Sequence, residues 1–346
     1  MRRTVRVGKL NLGGKNPVRV QTMLKSRISE KKALKEFNLL ARSGAEMIRV
    51  ALPDLEEAEY LKKFTGRSVP VIADIHFDWR IALRAIELGV DKVRINPSNI
   101  GAAWKAEEVV KRAKEQGMAI RIGANIGSLK KAQFKDPEKR AAALLGEVEK
   151  ELDILEKYRF RDLVVSFKAD DIETTYAANK LFSEKYDYPL HIGLTATGDR
   201  QSGIVKSSML LALLLREGIG STLRVSLTSS ALEEVETGWK ILFGLGLRKP
   251  NYEIISCPTC GRCRSDLKKQ VDMIKRILGR KKENISGRTI RIAVMGCEVN
   301  GPGEAASADF GFVAGKGAWA LFEKGHIRKI SAGKIETIVR ERIRGQ

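Results

Sequence analysis

Residues 92–123, KVRINPSNIGAAWKAEEVVKRAKEQGMAIRIG, decide the fold: a short β-rich run (KVRIN, 92–96), an amphipathic helical stretch, and a second β-rich run (AIRIG, 119–123). Alternate residues of a strand face opposite sides of the sheet. Val93 and Ile95 therefore oppose Arg94 and Asn96, as Ile120 and Ile122 oppose Arg121. Working outward, the same unit recurs from Val18 to about Phe243 with no long linker or low-complexity segment. The other strand candidates are VRVQTM (18–23), EMIRVAL (46–52), PVIADIH (70–76), DLVVSFK (162–168), PLHIGLT (189–195) and TLRVSLT (222–228), each followed by a helical stretch. Eight β-α units predict an α/β fold, a TIM (β/α)8 barrel, with its functional residues at the C-terminal strand ends. A doubly wound open sheet is the alternative, and no Gly-rich dinucleotide fingerprint follows the first strand to support it.

One parity is polar in strand after strand: Arg49, Asp74 with His76, Arg94 with Asn96, Arg121 with Asn125, Ser166 with Lys168, His191 with Thr195, and Arg224 with Ser226. The intervening residues, such as Ile48, Val50, Val165, Phe167, Val225 and Leu227, are apolar. In a barrel the apolar parity packs against the outer helices and leaves the polar set in the lumen. Any one strand-end arginine is most often a salt-bridge or loop anchor. Arg49, Arg94, Arg121, Lys168 and Arg224 all share the lumen parity, however, against one Asp. Buried charge of one sign must be paired or meet a ligand, so the pattern predicts a compact polyanion such as a diphosphate. Asp74 and His76 at the third strand end are proton-shuttle candidates, or else lock the strand-end loops. His191 is similarly open, and His326 in EKGHIRK reads as solvated.

Lys+Arg outnumber Asp+Glu by 63 to 42, a formal charge of +21, which attracts anions of any size. The basic residues are spread along the chain without a Lys/Arg block, an RGG tract or aromatic-basic interleaving, which favours a small acidic molecule over nucleic acid. The start, MRRTVRVGKL, has no apolar signal core, and the longest strictly apolar run, Met209 to Leu215, is too short to span a bilayer. The expectation is a cytoplasmic protein without membrane attachment.

At 346 residues the chain predicts two domains: a barrel over residues 1–245 and, after LGLRKPNYEI, a small α+β domain over 246–346. The second should hold strands at 252–256 and 289–295, helices at about 265–278 and 334–343, and a Gly-rich segment between. It carries all four cysteines. Clustered cysteines in a reducing compartment usually hold a metal. CPTCGRC places Cys257, Cys260 and Cys263 on one tight loop, with Cys297 remote in MGCEVNGPGEA. That spacing suits a 4Fe-4S cluster or a structural zinc.

ISCPTCGR followed some forty residues later by GCEVNGPGEA resembles the two cluster motifs of the 4-hydroxy-3-methylbut-2-enyl diphosphate synthase family. The resemblance extends over nearly the whole chain, through GGKNPVRVQTM, MIRVAL, VIADIHFD, VRINPSNIG, IRIGANIGSL, SFKADD, PLHIGLTATGD and EGIGSTLRVSLT. It implies a 4Fe-4S cluster held by Cys257, Cys260, Cys297 and Glu304, leaving Cys263 without a role, whereas a count of thiols alone would use all four cysteines. It also implies substrate-binding roles for Arg49, Arg94, Asn96, Arg121, Asn125, Lys168, Arg224, Ser226 and Asn300. The implied reaction is reductive ring opening of 2-C-methyl-D-erythritol 2,4-cyclodiphosphate, with electrons from ferredoxin or flavodoxin, in a homodimer that pairs one subunit's barrel with the other's cluster. Iron holds an oxygen ligand less tightly than thiolate, so Glu304 could yield its site to substrate oxygen and counts as catalytic on that reading.

Two departures stand out. Thr195-Ala196-Thr197-Gly198 stands where the family usually has Thr-Glu-Ala-Gly, removing a carboxylate expected near the site, and Ser98 replaces a common glycine. Two rivals come from other classes. A pterin-binding barrel transferase with a structural zinc would be colourless and without redox turnover, and a nucleic-acid-binding iron-sulfur protein would lose affinity steeply with salt.

Overall fold

The computed structural model describes residues 2–95, 102–128, 135–279, 288–299 and 301–344. The chain divides into two compact units, Met1–Leu247 and Arg248–Gln346.

The first unit begins with an antiparallel hairpin, β1 (Val5–Val7) and β2 (Leu10–Leu12). Eight parallel strands follow: β3 (Arg19–Met23), β4 (Met47–Ala51), β5 (Val71–Asp74), β6 (Lys92–Arg94), β7 (Ala119–Asn125), β8 (Leu163–Lys168), β9 (His191–Ile192) and β10 (Thr222–Leu223). They pair in the order β8-β7-β6-β5-β4-β3-β10-β9. A parallel bridge from Val165 to Leu190 joins the two ends of that order, so the sheet is a nearly closed TIM barrel. The apolar parity packs outward as expected: Val20, Ile48, Val50, Val93, Ile95, Ile120, Ile122, Val165 and Phe167 belong to one core with the surrounding helices. Several helices start on capping side chains, among them Asp171 on the Thr174 N–H, Asp199 on Gln201 and Ser202, and Ser230 on Glu233. Each such cap contributes about 1 kcal/mol.

Two features depart from the sequence reading. The last two strands are two-residue ladders where seven-residue strands were expected. Gly193, at φ +148°, ends β9, and a Cβ there would lie 2.2 Å from the Arg224 carbonyl and 3.5 Å from Lys168 Nζ. The Arg224 carbonyl leaves no room for a side chain at this position. The second feature is the hairpin, which no expectation included. Val5, Val7 and Leu12 plug the N-terminal end of the barrel against Met47, Ile72, Ala119 and Val164, all fully buried. These four lie on the polar parity, two residues before Arg49, Asp74, Arg121 and Ser166, and share their level with Lys92 and Gln21, so the base of the lumen is mainly apolar beneath a charged mouth.

The second unit is a five-stranded sheet in the order β11 (Tyr252–Ser256), β12 (Ile290–Met295), β13 (Phe310–Ala314), β14 (Trp319–Glu323) and β15 (His326–Ile330). The first three are parallel and the rest antiparallel. Helices Leu267–Leu278 and Lys334–Arg344 supply Ile274, Ile335 and Val339 to a core with Ile292, Val294, Phe310 and Phe312. The segment expected to be merely Gly-rich thus holds three strands. Its runs are short and separated by tight turns, one of them Lys324-Gly325, with both φ positive between paired Glu323 and His326, the geometry of a two-residue hairpin turn.

Candidate active site

Arg49, Arg121, Asn125, Lys168, Leu194, Thr195, Arg224 and Ser226 line one cavity of about 260 Å³ at the C-terminal end of the barrel. Each basic side chain projects inward because its strand alternates, and β-sheet pairing fixes the register: Arg94 lies beside Asp74 and Arg121, and Asn125 beside Lys168. Asp74 is the carboxylate among these charges. Its oxygens sit 3.6 Å from Arg49 Nη2, 3.7 Å from Arg94 Nε and 3.4 Å from His76 Nε2. Burial alone would raise the Asp74 carboxyl, but Arg49, the His76 hydrogen bond, Arg94 and Arg121 outweigh it and hold it well below the usual carboxylate range. Arg94 Nη1 lies 3.2 Å from His76 Nδ1. A guanidinium only donates, so Nδ1 accepts and Nε2 bears the hydrogen facing Asp74.

One carboxylate does not balance five cations. Burial, followed by the charges of Arg224, Arg121, Arg49 and Arg94, pushes the Lys168 ammonium well below lysine's ordinary range. Burial lowers Arg49 to about 10 even with Asp74 beside it. Arg121 is lowered by burial and by Arg49 and Arg94. Among the described residues, Arg49 Nε, Arg121 Nε and Nη1, and Arg224 Nε are buried without a hydrogen-bond partner. A buried donor left unmade costs about 1–3 kcal/mol. The arrangement is therefore costly by itself and complementary to an anion that accepts several hydrogen bonds at once.

Beneath this ring lies a further polar layer, in which the sequence reading named His191 but not Lys92 or Gln21. Lys92, Gln21 and His191 are buried, and Lys92 Nζ, both Gln21 amide atoms and His191 Nε2 lack hydrogen-bond partners among the described residues. His191 Nδ1 lies 2.8 Å from the Thr222 hydroxyl. The parity of Lys92 with Arg94 was the available signal. Met23 was missed as well, with its sulfur 3.0 Å from Arg49 Nη2 and 3.9 Å from Arg224 Nη1. Asn96 and Asn300 lie outside the described residues.

In the second unit, Cys257 directly follows β11 and Cys297 follows β12 by two residues. These are adjacent parallel strands with Ser256 paired to Val294, so both thiols leave one sheet edge. The Gly296 N–H donates to Cys257 Sγ at 3.3 Å. A Cβ on Gly296 would lie 2.6 Å from Cys263 Sγ and 3.7 Å from Cys257 Sγ. A side chain there would displace the Cys263 sulfur, whereas the Cys257 sulfur lies at ordinary contact distance. Cys260 is exposed, and its thiol is held below its ordinary value by the Arg262 backbone N–H and then by Arg262's charge. Glu304 stands exposed on the short helix Gly301–Ala305. Among the described residues no three His, Cys, Asp or Glu side chains form a ready metal cage. Cys257 and Cys297 leave adjacent strand ends while Cys260 and Glu304 stand exposed on other segments, and soft thiolates with a backbone N–H on sulfur suit an iron-sulfur group.

Among the described residues no helix is long and apolar enough to cross a membrane. Among solved structures, the barrel resembles dihydropteroate synthase from Coxiella burnetii (TM-score 0.51, 11% identity, 70% of this chain and 99% of that one). It likewise resembles the Yersinia pestis synthase with a pterin-sulfa conjugate (TM-score 0.51, 12% identity, 69% and 98%). At such identities the likeness is of fold alone. Residues 2–239 match the GcpE TIM-barrel domain, and residues 253–344 match the GcpE protein C-terminal domain. The chain is 48% identical to 4-hydroxy-3-methylbut-2-en-1-yl diphosphate synthase (flavodoxin) of Thermodesulfovibrio yellowstonii, over 94% of this chain and 93% of that protein. It is 44% identical to the Geobacter sulfurreducens synthase, over 95% and 93%. The chain belongs to the GcpE family, the 4-hydroxy-3-methylbut-2-en-1-yl diphosphate synthases.

Proposed function

We propose that the chain takes 2-C-methyl-D-erythritol 2,4-cyclodiphosphate into the barrel mouth and opens it reductively to (E)-4-hydroxy-3-methylbut-2-enyl diphosphate, a step of the non-mevalonate route to isoprenoids. The observation that carries the substrate class is the surplus of Arg49, Arg94, Arg121, Lys168 and Arg224 over Asp74, with orphaned guanidinium donors in the mouth. A diphosphate offsets that charge and accepts those hydrogen bonds. As the ring oxygen leaves carbon its phosphate gains charge, which cations fixed on strands stabilise without reorganising. Asn125 and Ser226 offer neutral hydrogen bonds on the same wall, and Asn96 and Asn300 belong to the same proposed set. Asp74 and His76 act in catalysis by holding Arg49 and Arg94 in place.

Cys257, Cys260, Cys297 and Glu304 are assigned to a 4Fe-4S cluster, which when bound would supply electrons singly to the substrate's carbon skeleton. Support comes from the adjacent strand ends that carry Cys257 and Cys297 and from the Gly296 N–H on Cys257. Flavodoxin, named with the relatives, is the proposed donor, and a homodimer the proposed assembly. The test is anaerobic purification followed by turnover of the cyclodiphosphate with reduced flavodoxin. A brown protein yielding the linear diphosphate is expected. A colourless zinc protein without redox turnover overturns the reading.

A further inference from the structure

The cationic cavity shares Thr195, Arg224 and Ser226 with a second lobe of about 480 Å³ that also meets Lys25, Ala196, Asp199 and Glu234. Glu234, in the first turn of helix Ala231–Gly244, is 2% exposed. Its carboxylate ties three segments together. Oε1 accepts from the Leu227 N–H at 3.1 Å and from Lys25 Nζ at 2.8 Å, and Oε2 accepts from the Thr22 hydroxyl at 3.3 Å. The Lys25 backbone is fixed as well, because the Lys25 and Ser26 N–H groups donate to the Glu36 carboxylate at 3.0 and 3.1 Å. The Lys25 side chain is 42% exposed, so its ammonium meets both the lobe and solvent.

Opening the cyclodiphosphate and losing a hydroxyl consumes two electrons and one proton, giving the linear diphosphate and water. Hydroxide is a poor leaving group, so the proton must reach the departing oxygen. The lobe's ionisable walls are Lys25, Asp199, Arg224 and Glu234. A guanidinium does not release its proton near neutral pH. Asp199 is engaged as a helix cap, accepting from the Gln201 and Ser202 N–H groups and the Ser202 hydroxyl, bonds that hold its carboxyl below the ordinary range. Glu234 is already paired to an ammonium, and Ala196 has nothing to give.

We propose that Lys25, held in place by Glu234, delivers the proton that turns the departing hydroxyl into water; this rests on the function assigned above. An ammonium N–H bond breaks and an O–H bond forms on the leaving oxygen as its C–O bond breaks. The two electrons come from a one-electron donor of the flavodoxin class, and the amine regains a proton from solvent. Glu234 is a positioning residue.

The experiment compares holoenzyme variants with reduced flavodoxin and the cyclodiphosphate. Lys25→Ala should lower kcat about a hundredfold, within the ~10²–10⁴ range of general acid catalysis, with KM changed less than about twofold. Added ethylammonium should restore turnover in proportion to its concentration. Lys25→Arg keeps the ion pair but should stay slow. Glu234→Gln should lose kcat about tenfold, with KM and cluster absorbance retained. A Lys25→Ala enzyme as fast as wild type, or one that ethylammonium does not rescue, overturns the role of Lys25 while an active wild type preserves the assigned function. An inactive wild-type holoenzyme sinks both.

Discussion

In the barrel, Arg49, Arg94, Arg121 and Lys168 are carried on strands of one nearly closed sheet, each pinned by its neighbours' pairing. In the second unit, Cys257, Cys260 and Cys263 ride on the loop beyond β11, and Cys260 is exposed. The barrel holds like charges together at a cost that its large apolar core can carry. On the cluster assignment proposed above, the second unit does the reverse, placing thiols at adjacent strand ends for a bound group to draw in. On that assignment one site is rigid before its ligand arrives, and the other would gain its geometry by binding.

The largest effect expected from this contrast is at the edge. Cys297→Ala should abolish cluster absorbance and turnover while the barrel still binds inorganic diphosphate. A variant that loses both functions together would break the separation. Glu304→Ala should likewise stop turnover, whereas Cys263→Ala should keep a cluster and much of the activity, and the opposite pattern would exchange their roles.

In the barrel, Arg121→Met removes a charged hydrogen-bond donor worth about 1.5–3 kcal/mol, or roughly 10- to 150-fold in diphosphate affinity by calorimetry. Without ligand its melting temperature should hold or rise, because a repulsive buried charge is gone. A melting temperature well below wild type would mean that Arg121 serves the fold instead.

The next effect concerns protons. Lys168 is held below its ordinary range in the free barrel by burial and four arginines, and a bound diphosphate opposes that depression. Binding should therefore take up protons between the lowered and restored values, so affinity falls as pH rises through that window. The unfolded chain binds more protons there than the free fold, so unliganded stability should rise with pH. Calorimetry in buffers of different ionisation enthalpy measures the uptake. The smallest effect is at the rim, where Asp171→Ala removes the cap of helix Ile172–Lys185 and should cost about 1 kcal/mol of stability, leaving the thiol edge untouched.

The barrel was legible because its strands are buried on one face and charged on the other, which makes the two-residue period visible in stretches such as MIRVA and AIRIG. The hairpin at Val5–Leu12 was not, since three-residue strands carry too few alternations. The strands at 310–330 were hidden for a related reason: β13 is buried along its length, FGFVA, and shows no period. Lys25 and Glu234 were invisible as a pair because 209 residues separate them and neither lies in a motif.

Strand parity and cysteine spacing, read from the chain alone, determined the barrel, the surplus of lumen cations and the family, because side-chain alternation and loop spacing are local properties of the backbone. Only the tertiary structure decided that one cavity gathers four of those cations, that Asp74 is the counter-charge shared by Arg49 and Arg94, and that Lys25 meets Glu234 beside the cavity. Those are distances between residues far apart in the chain, fixed when the sheet closes and the ends of its order meet at Val165 and Leu190.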